Sequence, residues 1–191
     1  MLDALLKSFI SIFVVMNALG NVAIFSALNE GFSKRKRLEN INRAVIIAGL
    51  VLLVFLFFGN VLFHYFGISI NSFKIAGGIV LMIIGIEIVL GIQFFERQIR
   101  RYEPAVIPMA TPLITGPGVI TTVIILVGNY GYLIPLIASI FNLLITLLIL
   151  DNSEIILRVV GKQGSDVISR IMGLIIVAIA VEFIKSGWIG I

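Results

Sequence analysis

The sequence predicts an all-α integral membrane protein of six transmembrane helices, arranged as two inverted-topology three-helix repeats with spans 1 and 4 broken near the midplane. Three observations predict this fold class. The 191 residues are 60% hydrophobic and 13% charged, six apolar runs are long enough to cross about 30 Å of hydrocarbon, and the second half of the chain aligns with the first. We expect a single transmembrane domain over residues 1–191, with repeat one at about 1–95 and repeat two at about 96–191.

The six apolar runs place the predicted spans. They cover residues 5–28, 44–63, 73–92, 105–127, 133–150 and 167–188. The first run follows no cluster of positive charge and precedes no small-residue cleavage site, so we interpret it as a retained helix rather than a removed signal. We expect a multi-pass protein of the cell membrane, with the lipid bilayer as its surroundings.

Composition also limits the chemistry. The chain has no cysteine and one histidine, His64, so a thiolate or histidine metal site is not expected. No set of catalytic side chains can be assembled around His64, which we place in an external loop, and we therefore predict neither an enzyme nor a bound cofactor.

The distribution of positive charge predicts the orientation. Eleven lysines and arginines lie in or beside loops one, three and five, against three on the opposite side, Lys7, Lys74 and Lys185. The positive-inside rule then puts loops one, three and five in the cytoplasm and both termini outside. The same rule explains a pI near 9.6 without nucleic acid as a partner. A basic patch for anionic lipid or nucleic acid is the alternative. The eleven residues are Lys34, Arg35, Lys36, Arg37, Arg43, Arg97, Arg100, Arg101, Arg158, Lys162 and Arg170.

The internal repeat predicts the inverted topology. A shift of about 95 residues lays 72–91 on 167–186, matching Gly78 with Gly173, Gly85 with Ala180 and Glu87 with Glu182, and a shift of 96 matches Gly20 with Gly116. Spans two and five give no clear alignment. Because each repeat has an odd number of spans, the second copy must cross the membrane in the opposite sense, as in many secondary transporters.

Two spans carry helix-breaking residues at matching places. Span 4 contains TPLITGPG at residues 111–118, where two prolines and two glycines interrupt the helix, with Thr115 as a candidate N-cap and Pro117 in the first turn that follows. Span 1 contains MNALGN at residues 16–21, where Asn17 and Asn21 can bond to backbone groups freed around Gly20. A broken helix in hydrocarbon requires polar partners.

The two breaks define the predicted substrate site. Amides at a half-helix N-terminus suit a carboxylate, and carbonyls on the other side of a break suit an ammonium group or a cation, so a small zwitterion satisfies both. Simple proline kinks, healed by threonine and asparagine, are the alternative. The predicted substrate-binding residues are Asn17, Ala18, Leu19, Gly20, Asn21, Thr111, Pro112, Thr115, Gly116, Pro117 and Gly118.

The motifs MNALGNVAIF in span 1 and ATPLITGPGVI in span 4 resemble those of the MarC/SnatA family of six-span inner-membrane proteins, and the resemblance covers essentially the whole chain. It implies transport of small neutral amino acids such as glycine and alanine. Ala18 departs from the proline expected in the family's span 1 motif, which makes the first break depend on Gly20 and the two asparagines.

Other polar and small residues in the spans have two interpretations each. Glu87 and Glu182 indicate either proton coupling or interfacial pairing, with Glu182 bonded to Lys185 and Glu87 to an arginine of the third loop. The seven-residue spacing of small residues in spans three and six favours close helix packing over contact with a solute. Asn142 and Thr146 either line the cavity or bond across helices, and the polar residues at the end of span five, Asp151, Asn152 and Glu154, are expected to be solvated.

The function predicted is secondary active transport of small neutral amino acids by alternating access, with H+ or Na+ as the coupling ion. The alternative is an ion channel or a cation/proton exchanger that uses the same broken-helix site, although the central region offers no ring of carboxylates. Import or export, the exact substrate and the oligomeric state are left open by the sequence.

Overall fold

The computed structural model describes residues 2–22, 25–26, 29, 32–91 and 114–189. Six helices occupy most of these residues: α1 (Leu2–Met16), α2 (Lys34–Phe66), α3 (Ile70–Leu90), α4 (Pro117–Tyr130), α5 (Leu133–Asp151) and α6 (Ser153–Ile189). α6 contains a kink at Gly161, whose φ of 74° and ψ of 167° are non-helical. The described part of the chain is therefore helical, as the apolar runs predict.

Four segments are long and apolar enough to cross a membrane: Lys34–Gly59, Ile70–Leu90, Leu133–Asp151 and Gln163–Ile189. α1 and α4 have 15 and 14 residues, which is short for a span of about 20 residues. Both are short because α1 ends, and α4 begins, where the sequence predicts a break. The protein is an integral membrane protein, and the predicted spans 1 and 4 contribute helices shorter than a full span.

Two helices extend beyond the predicted spans. α2 begins at Lys34, ten residues before the predicted start, because Ser33 Oγ accepts a hydrogen bond from Lys36 N at 3.3 Å and Glu39 pairs with Lys36 and Arg43 along the first turns. α2 also runs to Phe66, so His64 lies exposed in its last turn and not in a loop. Similarly, α6 begins at Ser153, where the sequence predicts a loop.

The outer faces of the long helices are apolar and the interior holds uncharged polar side chains. In α2, exposed side chains recur at helical spacing from Ile46 to Leu62, which is the arrangement expected of a face in contact with lipid tails. Buried polar residues in the described chain are serines, threonines and asparagines alone. The buried members within the helices are Ser8, Asn40, Thr121, Thr122, Ser139, Asn142, Thr146, Ser153 and Ser165.

Contacts between helices give the relative directions of four helix pairs. α1 and α5 are parallel, α2 is antiparallel to α5, and α3 is antiparallel to both α4 and α6. The contacts that fix these directions are Phe9 with Asn142, Met16 with Thr146, Gly49 with Leu143, Arg37 with Glu154 just beyond α5, Ile70 with Gly128, Leu81 with Gly118, Gly78 with Ala180 and Gly85 with Gly173.

The helices α3 and α6 pack closely along a seam of small residues. A Cβ added at Gly78 would lie 2.8 Å from the carbonyl oxygen of Ala180, and one added at Gly85 would lie 3.0 Å from the carbonyl oxygen of Gly173. Only glycine lets the two backbones approach this closely. The packing interpretation of the seven-residue spacing is confirmed.

Positive charge collects at one end of the bundle, where α2 and α6 begin and α5 ends. Arg37 at the start of α2 forms a salt bridge with Glu154 near the start of α6. Glu154, which the sequence predicts to be solvated, therefore connects two helices, although its side chain remains 57% exposed. Of the arginines and lysines assigned to this end, Arg97, Arg100 and Arg101 fall outside the described residues.

Candidate functional site

The first break begins where α1 ends. Asn17 adopts a left-handed conformation with φ of 47°, alone among the described non-glycine residues, and asparagine is among the few residues that tolerate it. Asn17 N still donates to Phe13 O at 3.1 Å, and bonds of the helical type resume with Asn21 N to Asn17 O at 3.1 Å and Phe25 N to Asn21 O at 2.9 Å. Between them, no backbone hydrogen bond within the described chain is made by the amides of residues 18–20.

The two asparagine side chains of this break differ in their hydrogen bonds. Asn21 Nδ2 donates to the freed Met16 carbonyl at 3.4 Å, as the sequence predicts. Asn17 Oδ1 is buried and accepts no hydrogen bond from any described atom, although the residue is only 7% exposed. An unpartnered amide oxygen in so buried a position is costly, so it marks a place where a donor is expected.

The second break ends where α4 begins. Gly116 is the N-cap, in an extended conformation with φ of −86° and ψ of 179°, and Pro117 follows at the start of the helix, as the sequence predicts. No side chain caps this helix end. The amides of Gly118 and Val119 therefore lie in the first turn, where an α-helix offers them no acceptor of its own.

The prediction that Thr115 is the N-cap is wrong. Because Pro117 occupies the first helical position, the cap is the residue directly before it, Gly116. Thr115 is 1% exposed and its Oγ1 has no hydrogen-bond partner among the described atoms. The two remaining predicted residues of this break, Thr111 and Pro112, lie outside the described residues.

The end of α1 and the start of α4 lie side by side. A Cβ added at Gly118 would be 3.2 Å from Val15 Cγ1 and 2.8 Å from Leu81 Cδ2 of α3. A carbonyl end with a partial negative charge thus adjoins an amide end with a partial positive charge, each equivalent to about half an elementary charge. The structure brings these ends of the two predicted breaks to the same level of the bundle.

Side chains of α5 form hydrogen bonds with α1 up to the first break. Thr146 Oγ1 donates to Met16 Sδ at 3.0 Å, and Asn142 Nδ2 donates to Phe9 O at 3.2 Å and to Ala138 O at 2.8 Å. Of the two interpretations of these residues, bonding across helices is the one confirmed. They fix α1 against α5 up to the point at which α1 ends.

α6 brings a polar residue to the first break that the sequence analysis missed. A Cβ added at Gly20 would lie 2.6 Å from Ser169 Oγ, and 2.5 and 2.6 Å from Asn17 Nδ2 and Oδ1. Ser165 lies one turn earlier on the same face and is buried. The spacing of these two serines, four residues apart near the start of a predicted span, indicates that they share a helix face but not which helix that face meets.

The two intramembrane glutamates are not equivalent. Glu182 is exposed and lies 4.0 Å from Lys185, so the predicted pair of these two residues is confirmed. Glu87 is half-buried, and the third loop that it was predicted to meet lies outside the described residues. Neither contributes to the junction of the two breaks.

These features define the class: an all-helical, multi-pass membrane protein in which the end of α1 meets the start of α4 inside the bundle. The chain belongs to the MarC family, since the family model of MarC family integral membrane proteins matches residues 2–191.

Similar proteins occur in archaea and bacteria. A UPF0056 membrane protein of Archaeoglobus fulgidus is 39% identical over 94% of this chain and 90% of its own length. A second, from Methanocaldococcus jannaschii, is 37% identical over 97% of this chain and 96% of its own length. A Bacillus subtilis relative is 33% identical over 98% and 95%. No solved structure matches the chain.

Proposed function

We propose that this protein is a secondary active transporter that moves small neutral amino acids, of the glycine and alanine class, across the cell membrane by alternating access. The observation that carries the proposal is the junction of the two breaks, where the carbonyl end of α1 adjoins the uncapped amide end of α4 at Gly118. A solute with one negative and one positive group complements both helix ends.

The surroundings of the junction favour a neutral solute. Its described polar side chains include Asn17, Asn21 and Ser169, and no described lysine, arginine, aspartate or glutamate is buried. An ion of either sign would lack a counter-charge there, whereas a zwitterion brings both charges with it. This contrast favours amino-acid transport over the ion channel or cation/proton exchanger.

Packing at the breaks favours a small solute. A Cβ at Gly20 or at Gly118 would approach neighbouring side-chain atoms to 2.5 and 2.8 Å, so side chains from neighbouring elements come close to the backbone at both helix ends. Glycine and alanine have the smallest side chains of the amino acids. The size of the surrounding groups therefore supports the same solute class as their chemistry.

The seam between α3 and α6 supports the inverted repeat that alternating access requires. Under the 95-residue shift Gly78 corresponds to Gly173 and Gly85 to Ala180. This correspondence exchanges the contact of Gly78 with Ala180 and the contact of Gly85 with Gly173. The two helices are also antiparallel. A two-fold axis in the membrane plane has this effect. We extend the proposal to six spans in two such repeats, with the basic end in the cytoplasm and both termini outside.

The test is uptake of labelled glycine by the purified protein in sealed lipid vesicles. Gly118→Ala should lower uptake at least about tenfold, because the added methyl group occupies the contact between α1 and α4. The variant should still fold, because the flexible ends of Val15 and Leu81 can move aside. Gly128→Ala is the matched control on the same helix, since its Cβ would meet Ile70 only at 3.5 Å, and it should transport normally.

Unchanged uptake by Gly118→Ala, with normal folding, would remove the junction from the transport path. If the unaltered protein takes up neither glycine nor alanine and instead conducts ions across the vesicle membrane, that result would favour the ion channel over the transporter. Imposed pH and sodium gradients in the same vesicles identify the coupling ion, for which we propose H+ or Na+.

A further inference from the structure

We propose that Ser169 of α6, together with Asn17, receives the ammonium group of the transported solute. This inference rests on the proposed function and assigns the solute's direction in the site. Its positive group lies at the end of α1 beside α6, and its carboxylate lies at the start of α4.

Ser169 is placed at the break by the absence of a side chain at Gly20. The hydroxyl oxygen of Ser169 and the amide of Asn17 both lie within 2.6 Å of the position that a Gly20 Cβ would take. Three elements of the chain therefore converge on one point: the left-handed end of α1, the glycine of the break and the first turns of the membrane-spanning part of α6.

Two of the three polar atoms at this corner are hydrogen-bond acceptors. Ser169 Oγ uses its one hydrogen to donate to Ser165 O at 2.9 Å, so towards the break it can only accept. Asn17 Oδ1 is also an acceptor, and among the described atoms it has no donor. The third atom is the donor Asn17 Nδ2, 2.5 Å from the position of a Gly20 Cβ. A primary ammonium group supplies three donors, which the two acceptors can receive.

The helix ends give the same polarity. α1 ends at Met16, so its partial negative charge falls beside Asn17, whereas the first-turn amides of α4 carry the partial positive charge beside Gly118. A carboxylate at the Asn17 corner would meet acceptors and a negative helix end. An ammonium group there is stabilised by both, through charge-assisted hydrogen bonds.

If the ammonium group binds at this corner, the affinity of a ligand should fall stepwise as its ammonium group loses hydrogens. Glycine, N-methylglycine, N,N-dimethylglycine and glycine betaine keep the carboxylate and the positive charge but lose one N–H donor at each step. The unaltered protein should bind them in that order. Ser169→Ala removes an acceptor, so the variant should bind glycine about tenfold more weakly, as expected for a hydrogen bond to a charged group, and betaine almost as before.

The measurement is calorimetric binding of these four ligands to the detergent-purified full chain, for the unaltered protein, Ser169→Ala and Ser186→Ala. Ser186 is the matched control, because it lies on the same helix and its hydroxyl also donates to a preceding carbonyl, Phe183 O at 3.1 Å, but it is far along α6 from the break. Ser186→Ala should bind all four ligands like the unaltered protein.

If Ser169 has a purely structural role, Ser169→Ala should weaken the binding of glycine and of betaine by the same factor. That result would overturn the inference. Equal binding of glycine by Ser169→Ala and the unaltered protein would overturn it as well. Failure of the proposed function gives a different pattern, since the unaltered protein would then bind none of the four ligands.

Discussion

The two helix breaks occupy matching places in the sequence but are built from different chemistry. The first ends a helix with Asn17 in a left-handed conformation and partly satisfies the last carbonyl through Asn21. The second starts a helix at Gly116 and Pro117 and leaves its first amides without a side-chain cap. The first break therefore offers acceptors and the second offers donors. A pair of identical breaks would suit two like charges, whereas the zwitterionic solute that we propose requires this difference in polarity.

The largest expected effect comes from the left-handed residue of the first break. Asn17→Val should lower the free energy of unfolding by about 1–3 kcal/mol, because a β-branched residue is strained at φ of 47°, and should abolish glycine transport. Asn17→Gly should also transport poorly, since the amide is lost, but should unfold like the unaltered protein. Thermal unfolding in detergent, read beside vesicle uptake, separates the two effects. Equal stability of both variants would show that the break does not need the left-handed conformation.

A smaller effect is expected from the hydrogen bond that closes the first break. Asn21→Ala removes the donor to Met16 O at 3.4 Å and should lower the free energy of unfolding by about 1 kcal/mol. The matched control is Asn152→Ala, because Asn152 Nδ2 makes the same type of bond, to Leu148 O at 2.8 Å, but in an exposed position. Its loss should matter less, since water replaces the bond. Chemical denaturation of both variants is the measurement, and the opposite ranking would contradict the account of the break.

The sequence predicted where the helices break more successfully than how the ends are satisfied. Proline, glycine and asparagine are local signals, and they located the end of α1 and the start of α4 to within a residue or two. Thr115 has the residue type of an N-cap, but the position of Pro117 makes Gly116 the cap, and both signals are local. The small-residue spacing likewise predicted the seam, since close packing leaves a periodic signal.

Ser169 and the salt bridge of Arg37 with Glu154 could not be predicted in the same way. Each depends on which face of α6 turns towards another helix, and that face is set by packing between elements more than a hundred residues apart in sequence. The early start of α2 was difficult to predict for a different reason. Its basic first turns resemble a loop in hydropathy, and their helical signal is in Ser33 and the pairs made by Glu39.

The smallest expected effect sharpens the contrast between the two breaks most directly. Gly116→Ser places a hydroxyl at the N-cap of α4, where the extended backbone with φ of −86° accepts any residue. The hydroxyl should bond to a first-turn amide and raise the free energy of unfolding by a few tenths of a kcal/mol, as serine does relative to glycine at this position. The same bond competes with the solute's carboxylate, so glycine binding should weaken about threefold.

Gly116→Ala is the control for the added volume, because it adds a methyl group without an acceptor. If the amide end of α4 receives the carboxylate, Gly116→Ser should bind glycine more weakly than Gly116→Ala while being the more stable of the two. A protein that becomes more stable and binds less well is the signature of a helix end left uncapped for a ligand. If both variants bind glycine equally, the uncapped amides of α4 have no part in binding. The role proposed for the start of α4 would then be wrong, and the role proposed for Asn17 would be unaffected.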